Sequence, residues 1–408
     1  MNKEVLVVGG GASGMIAAIV AARRGKSVLL IERKEKLGKK ILATGNGKCN
    51  FSNTYYDETV YRSDTPAMIT PILNQFSVED TIAFFKELGI EPKNKNGYLY
   101  PASMQAAAVV EVLTIELRRL KVEVHLNEST TAIIKRESIY RVVTDKSTYE
   151  TQAVILSTGG KAGSKLGSDG SGYHLAKKLG HNIVPVTEAL VALRSPLKQF
   201  KQISGIRINA RITVFINDRS TVTEEGELQI TDYGISGIPV FQVSRYATKA
   251  LSQRKKVEVH VDLLPDMSKE ATLQLLVKRQ KERPKKTAQE FLIGLFPYKL
   301  AIFLIREAGI KETVTVDSIG KNQLTILTEL INNFRVPITG SNGFEQAQVC
   351  AGGVDVREVS SITLESTKAE GVFLTGELLD VDGTCGGYNL QWAWSTGFVA
   401  GLHCLERK

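Results

Sequence analysis

The chain has 408 residues, of which 43% are apolar and 23% charged, with a net charge of +9. That balance is ordinary for a soluble globular chain of two or three domains with ample core, and no apolar run approaches the length needed to span a bilayer. The four cysteines, Cys49, Cys350, Cys385 and Cys404, show neither C-x-x-C pairing nor zinc spacing, which excludes a disulfide framework and suits a reducing cytoplasm.

The first element is a buried strand at 5–8, Val-Leu-Val-Val. Its apolar start is not a secretory signal, because glycines interrupt it after four residues and no cleavage site follows. Gly9-Gly10-Gly11-Ala12-Ser13-Gly14 then forms a turn, an Ala-rich helix runs over 17–24, and a second buried strand at 28–31 ends in Glu32. In this order Gly9 permits the tight turn, Gly11 lets the backbone approach a pyrophosphate, and Gly14 brings helix and strand together. The helix N-terminus faces the phosphates, and Glu32 is placed to accept a hydrogen bond from a ribose hydroxyl. Strand, glycine turn, helix and acid together predict dinucleotide binding.

Helices are predicted at 77–88 and 105–120, followed by strands at 122–126, 131–134, 140–144 and 153–157. The last strand enters Thr158-Gly159-Gly160 and a glycine-rich loop closing at Gly172, after which 173–179 reads as a helix. From about 188 to 349 the pattern changes. Residues 188–230 are strand-like with a turn expected at 224–227, a helix is expected at 244–252, and another strand at 257–263. Helical periodicity dominates 268–334, broken at Pro284 and Pro297, and strand signals return at 336–338 and 346–350. The expected organisation is an α/β cofactor domain at 1–187 and 350–408. A β subdomain at 188–265 and 335–349 and a small helical subdomain at 266–334 are inserted into it and are expected to roof the cofactor.

Two basic stretches stand out in this middle region. Residues 278–286 carry six positive charges and one negative, and Arg254-Lys255-Lys256 follows Arg245 and Lys249. A solvated helix end is the plain reading, and a phosphate-contacting surface for RNA is the sharper one.

Near the end of the chain, 371–377 reads as a buried strand stopped by Gly376 and Glu377. Asp382-Gly383-Thr384-Cys385-Gly386-Gly387-Tyr388-Asn389 then leads into a helix from about Leu390. A simple NAD domain has no use for this second glycine cluster, whereas a flavin does. Reduced flavin carries negative charge at its N1/C2 edge, which a helix N-terminus stabilises, and Gly386 and Gly387 allow close approach. Asp382 or Glu377 is suited to ribityl hydroxyls. No second G-x-G-x-x-G follows a strand, so NAD(P)H is expected as a transient electron donor without its own domain.

The segment from Leu37 to Asn53, with Gly45-Asn46-Gly47-Lys48-Cys49-Asn50 at its centre, resembles the signature of BaiN/YhiN-type FAD-dependent oxidoreductases, as do Ala351-Gly352-Gly353-Val354 and the run from Thr375 to Leu390. The resemblance covers nearly the whole chain. It implies FAD, an α/β Rossmann-like fold of the two-dinucleotide-binding type related to fumarate reductase flavoproteins, and an inserted middle region. The family commonly has Arg where this chain has Lys48, which keeps the charge and loses the bidentate fork. On this basis the cofactor contacts expected are Gly9, Gly11, Ala12, Ser13, Gly14, Glu32, Arg33, Lys40, Gly45, Gly47, Lys48, Cys49, Asn50, Thr130, Thr158 and Gly159. Gly376, Glu377, Asp382, Gly386, Gly387, Asn389 and Leu390 complete the set. Cys49, Cys385 and Tyr388 are candidate proton donors, each with a plain packing role as the alternative. His174, His181 and His403 show no partner pattern, and no metal ligation is expected.

The resemblance implies reduction of an activated C=C bond, with uridine of 23S rRNA as one substrate and a small-molecule alkene as another. An amine oxidase and a non-catalytic flavin-bearing RNA-binding or assembly factor are the rival classes.

Overall fold

The computed structural model describes residues 2–405, which form two compact units, 2–187 with 347–405, and Glu188–Gln346. The first is built on a seven-stranded sheet in the order Glu123–His125, Val28–Ile31, Asn2–Val8, Thr148–Leu156, Ile139–Thr144, Thr130–Arg136, with Val372–Leu374 also paired to Thr148–Leu156. The strands that carry the glycine motifs are parallel, with Val7 beside Leu30 on one side and Ile155 on the other. One edge of Thr148–Leu156 serves two partners in succession. Its first half pairs antiparallel with Ile139–Thr144 and its second half parallel with Val372–Leu374. Strands buried on both faces need no polar alternation, which is why 5–8 and 28–31 read as unbroken apolar runs.

The first helix spans Ala12–Arg23, beginning five residues earlier than the apolar pattern suggested. It packs closely on the C-terminal helix Tyr388–His403. A methyl on Gly397 would lie 2.3 Å from the Ser13 carbonyl oxygen, and one on Gly401 2.6 Å from that of Ala17. Small residues four apart on both helices therefore bring two backbones together, and both helices are apolar nearly all round because both are buried. The polar groups of the C-terminal helix are satisfied internally. Trp394 Nε1 donates to the Phe51 carbonyl (2.8 Å), and Gln391 Nε2 donates to Thr81 Oγ1 (2.9 Å) while its carbonyl accepts from Ser52 Oγ (2.6 Å).

The predicted helices at 77–88 and 105–120 are Val78–Glu87 and Ala106–Arg119, the first opened by a capping box between Ser77 and Asp80. A small sheet absent from the sequence reading joins Pro92–Lys95 and Tyr98–Pro101, which lie between these helices in the chain, to Ser52–Asn53, which precedes both.

The second unit is a seven-stranded antiparallel sheet in the order Phe334–Pro337, Val257–Asp262, Arg207–Ile216, Arg219–Thr231, Gly234–Ser236, Leu193–Arg194, Gly340–Ser341. The turn expected at 224–227 is not a turn. Glu225 and Glu227 sit inside the strand Arg219–Thr231, where Glu225 pairs with Arg211 directly opposite and Glu227, opposite Asn209, pairs diagonally with Arg207. The chain reverses instead at Asn217 and Asp218, both with positive φ, which Asn and Asp tolerate in a two-residue hairpin loop. Helices Lys269–Glu282, Tyr298–Glu307 and Lys321–Asn332 share one apolar core with this sheet, through residues such as Leu276, Leu304, Leu327, Val259 and Val336.

Among the described residues, no helix is long and apolar enough to cross a membrane. None of them form a cluster of three or more His, Cys, Asp or Glu side chains able to hold a metal ion.

Candidate functional site

The glycines of the first turn have separate causes. Gly9 has φ +105°, and a methyl there would lie 2.4 Å from the Ser157 carbonyl oxygen, so both conformation and contact require glycine. A methyl on Gly14 would lie 1.9 Å from the Gly9 carbonyl oxygen, which fixes the close helix–strand approach. Gly11 is different: nothing lies within 4 Å of an added methyl, and it caps the helix with no side-chain hydrogen bond. The first intrahelical bond is Met15 N to Gly11 O (3.0 Å), so the amides of Ala12, Ser13 and Gly14 lie ahead of the helical ladder. Glu32 braces this turn, its two oxygens accepting from the amides of Gly10 (2.7 Å) and Lys34 (2.7 Å), while burial holds its carboxyl above the usual range.

The C-terminal motif meets this turn directly. A methyl on Gly376 would lie 2.7 Å from Ser13 Oγ. Glu377 takes the Lys40 ammonium on one oxygen (2.6 Å) and the Cys350 amide on the other (2.8 Å). A methyl on Gly160 would meet the Tyr173 hydroxyl at 3.0 Å, the Glu377 carboxyl carbon at 3.1 Å and Cys350 Sγ at 3.2 Å. Arg33 is ion-paired to Asp169, Ser157 Oγ bonds Thr375 Oγ1 (2.7 Å), and Thr158 Oγ1 packs against Gly172. Cys350, Tyr173 and Asp169 escaped the sequence reading because their partners are far away in the chain. Gly159, before this cluster, packs on Ser168 Oγ.

The loop 44–50 and the loop 382–389 come together over Ser52 and Asn53. Gly45, Asn46, Gly47 and Cys49 all have positive φ, and Gly45, Gly47 and Lys48 are exposed. Gly387, at φ +95°, caps the C-terminal helix, and a methyl on it would lie 2.7 Å from the Ser52 carbonyl oxygen. Glycine at 386 and 387 therefore answers to protein contacts as well as to any cofactor. Asn389 clamps the loop by accepting from the Gly383 amide and donating to its carbonyl (2.8 Å each), leaving Leu390 half-buried in the first turn. Asp382 is buried on the short strand that pairs with Tyr61–Arg62.

Of the candidate proton donors, Cys49 is wholly buried, and burial pushes its thiol up to about 11. Tyr388 is also buried; its hydroxyl donates to the Tyr55 carbonyl (3.1 Å) and is pushed up to about 12, chiefly by burial. Cys385 is half-exposed. His181, which showed no partner pattern in sequence, lies between Glu358 (3.2 Å) and Ser366 (2.8 Å) in the interior. Only a long-range contact supplies that pattern.

Among the described residues, the buried polar atoms without a hydrogen-bond partner include Asn50 Oδ1, 3.0 Å from where a methyl on Gly387 would be, and Thr130 Oγ1. Such atoms are rare without a ligand or water. With the open space before Gly11 and the amides behind it, they fit a long dinucleotide whose pyrophosphate lies on the helix N-terminus.

Residues 3–403 match the HI0933-like protein Rossmann domain family. The chain is 43% identical over 409 residues to the 3-dehydro-bile acid delta(4,6)-reductase of Clostridium scindens, covering 100% of both chains. It is 30% identical over 409 residues to the ribosomal RNA dihydrouridine synthase of Escherichia coli, covering 99% and 98%. Its fold is like that of the 3-ketosteroid delta1-dehydrogenase from Sterolibacterium denitrificans, at a TM-score of 0.50 with 13% identity and 99% of each chain covered. The chain thus belongs to the HI0933-like family, a group of Rossmann-fold flavoprotein oxidoreductases.

Proposed function

We propose that this chain is an FAD-dependent reductase that takes a hydride from NAD(P)H and delivers it to the activated C=C bond of a conjugated ketone in a small molecule. FAD, when bound, supplies the two-electron chemistry. The chain's own groups bind and orient. The amides of Ala12, Ser13 and Gly14 take the pyrophosphate, and Glu32 retains lone pairs for a ribose hydroxyl. Asn50 and the N-terminus of Tyr388–His403 address the polar edge of the ring, where the helix dipole favours negative charge. Lys40 and Glu377 neutralise one another beside it. Cys385, half-exposed where Cys49 and Tyr388 are buried, is the proposed proton source for the reduced carbon. The absence of a disulfide among the described cysteines agrees with a cytoplasmic setting.

The observation that carries this reading is the full-length 43% identity to the C. scindens reductase. The net charge of +9 and the E. coli relative support a second reading, reduction of uridine in 23S rRNA. The basic run 278–286 lends that reading less than its charge count suggests. Arg279 is spent on the carbonyls of Phe291 and Ile293, and Lys285 on Asp317. The test is anaerobic bleaching of the purified yellow protein by NADH or NADPH, followed by reoxidation with a steroid dienone, oxygen or ribosomal RNA in separate samples. Fast reoxidation by the dienone alone supports the proposal. Oxygen acting as fast would make the protein an oxidase, RNA acting alone would make it a uridine reductase, and no bleaching would leave a non-catalytic flavin carrier.

A further inference from the structure

Beside the two glycine loops, the small sheet of Ser52–Asn53, Tyr98–Pro101 and Pro92–Lys95 carries an unusual face. In its antiparallel register Lys95 lies opposite Tyr98, and Lys93 opposite Tyr100, so these four side chains share one side. Leu99 and Pro101, on the other side, are buried. Tyr98 is 41% exposed, and its ring edge lies 3.3 Å from where a methyl on Gly386 would be; the Tyr100 ring lies 3.7 Å from the same point on Gly45. The face therefore borders both loops of the candidate site. Nearby Tyr55, whose carbonyl accepts from Tyr388, is 61% exposed. Lys93 and Lys95 are exposed and make no ion pair or side-chain hydrogen bond among the described residues. Other exposed cations of this unit, such as Lys86 and Lys368, sit within reach of an acid.

Exposed aromatic rings flanked by uncompensated ammonium groups match a flat ring that carries an anion at one end. We propose that this face is the substrate-receiving surface, with Tyr98 as the platform for a planar, polycyclic enone and Lys93 and Lys95 as holders of a carboxylate on its tail. The proposal rests on the reductase reading and adds the residues that receive the substrate's ring and its acidic tail. Neither lysine touches the proposed cofactor contacts in sequence or in any contact described above, so their replacement leaves those contacts in place.

The test titrates oxidised holoenzyme with a 3-oxo-4,6-diene steroid carboxylic acid and with its methyl ester, reading quenching of flavin fluorescence. Lys93→Gln with Lys95→Gln should weaken the acid about tenfold and leave the ester unchanged, since two exposed ion pairs are lost. Tyr98→Ala should weaken acid and ester alike, by about fivefold, and Tyr98→Phe should restore both. FAD content and the rate of bleaching by NAD(P)H should not move in the lysine variant, which a folding defect would change. Lysine-dependent binding without reoxidation of the reduced enzyme would uphold this surface while the reductase reading fails. Equal binding of acid and ester by the wild-type protein would overturn the proposal. So would an identical response of the two to the lysine variant, or binding of neither steroid beside lysine-dependent binding of a uridine-rich oligoribonucleotide.

Discussion

Gly11→Val separates loss of cofactor from loss of fold. The backbone at Gly11 is extended, at φ −83° and ψ −165°, which a β-branched residue adopts without strain, and no protein atom lies within 4 Å of the new methyl position. The added side chain instead fills the space in front of the amides of Ala12, Ser13 and Gly14. The cost to the apoprotein is that of a poorer helix cap, about 1 kcal/mol, or a fall in Tm of roughly 2–4 °C for a unit of this size. The pyrophosphate, by contrast, loses about two charge-assisted hydrogen bonds at ~1.5–3 kcal/mol each, which weakens FAD binding by about 10²–10⁴-fold. Flavin absorbance relative to protein absorbance, read beside a melting curve of the apoprotein, measures both. Gly14→Ala is the contrasting case, because its methyl would sit 1.9 Å from the Gly9 carbonyl oxygen. The helix must move by more than an ångström or so to clear it, and overpacking of that kind costs ~1–3 kcal/mol or more. That variant should lose colour and stability together. A Gly11→Val protein purified with stoichiometric FAD would refute the placement of the pyrophosphate, and one that is colourless but unfolded would refute the claim of open space.

Burial holds His181 below its ordinary pKa even with Glu358 beside it, so the unfolded chain takes up the proton first as the pH falls. The folded state should therefore lose stability as pH drops below about 6.5, and His181→Gln should flatten the stability–pH curve between roughly pH 5 and 7. Urea melts at a series of pH values read this, and an unchanged slope would show that His181 does not stay neutral in the folded chain. Arg279→Ala removes hydrogen bonds to two main-chain carbonyls and should destabilise the second unit by about 1–3 kcal/mol, whereas Lys278→Ala and Lys286→Ala should stay within ~0.5 kcal/mol. Equal melting of all three would mean that the arginine is as solvated as its neighbours.

The nucleotide-binding half of this protein was legible in sequence because its determinants are local. Gly9, Gly11, Gly14 and Glu32 lie within one strand–turn–helix–strand unit, where backbone conformation and chain spacing alone set the geometry. The hairpin at Asn217–Asp218 was equally local, yet it was missed because the acidic run around Gly226 gave the louder turn signal. The strands decided otherwise, since Arg207 and Arg211 across the ladder compensate those acids. Other features have no local signal at all. Gly397 and Gly401 are glycines because Ser13 and Ala17 approach them from the other end of the chain. Lys40 and Glu377, both expected at the cofactor, turn out to pair with each other across 337 residues. Cys49, a candidate proton donor with a packing role as the alternative, is wholly buried at a positive φ, which its place in a glycine-rich loop did not encode. Sequence by itself determined which backbone turns exist and what chemistry they suit. Which side chains remain open after distant segments close over one another was decided only by the tertiary structure, because burial and pairing depend on contacts that spacing along the chain does not encode.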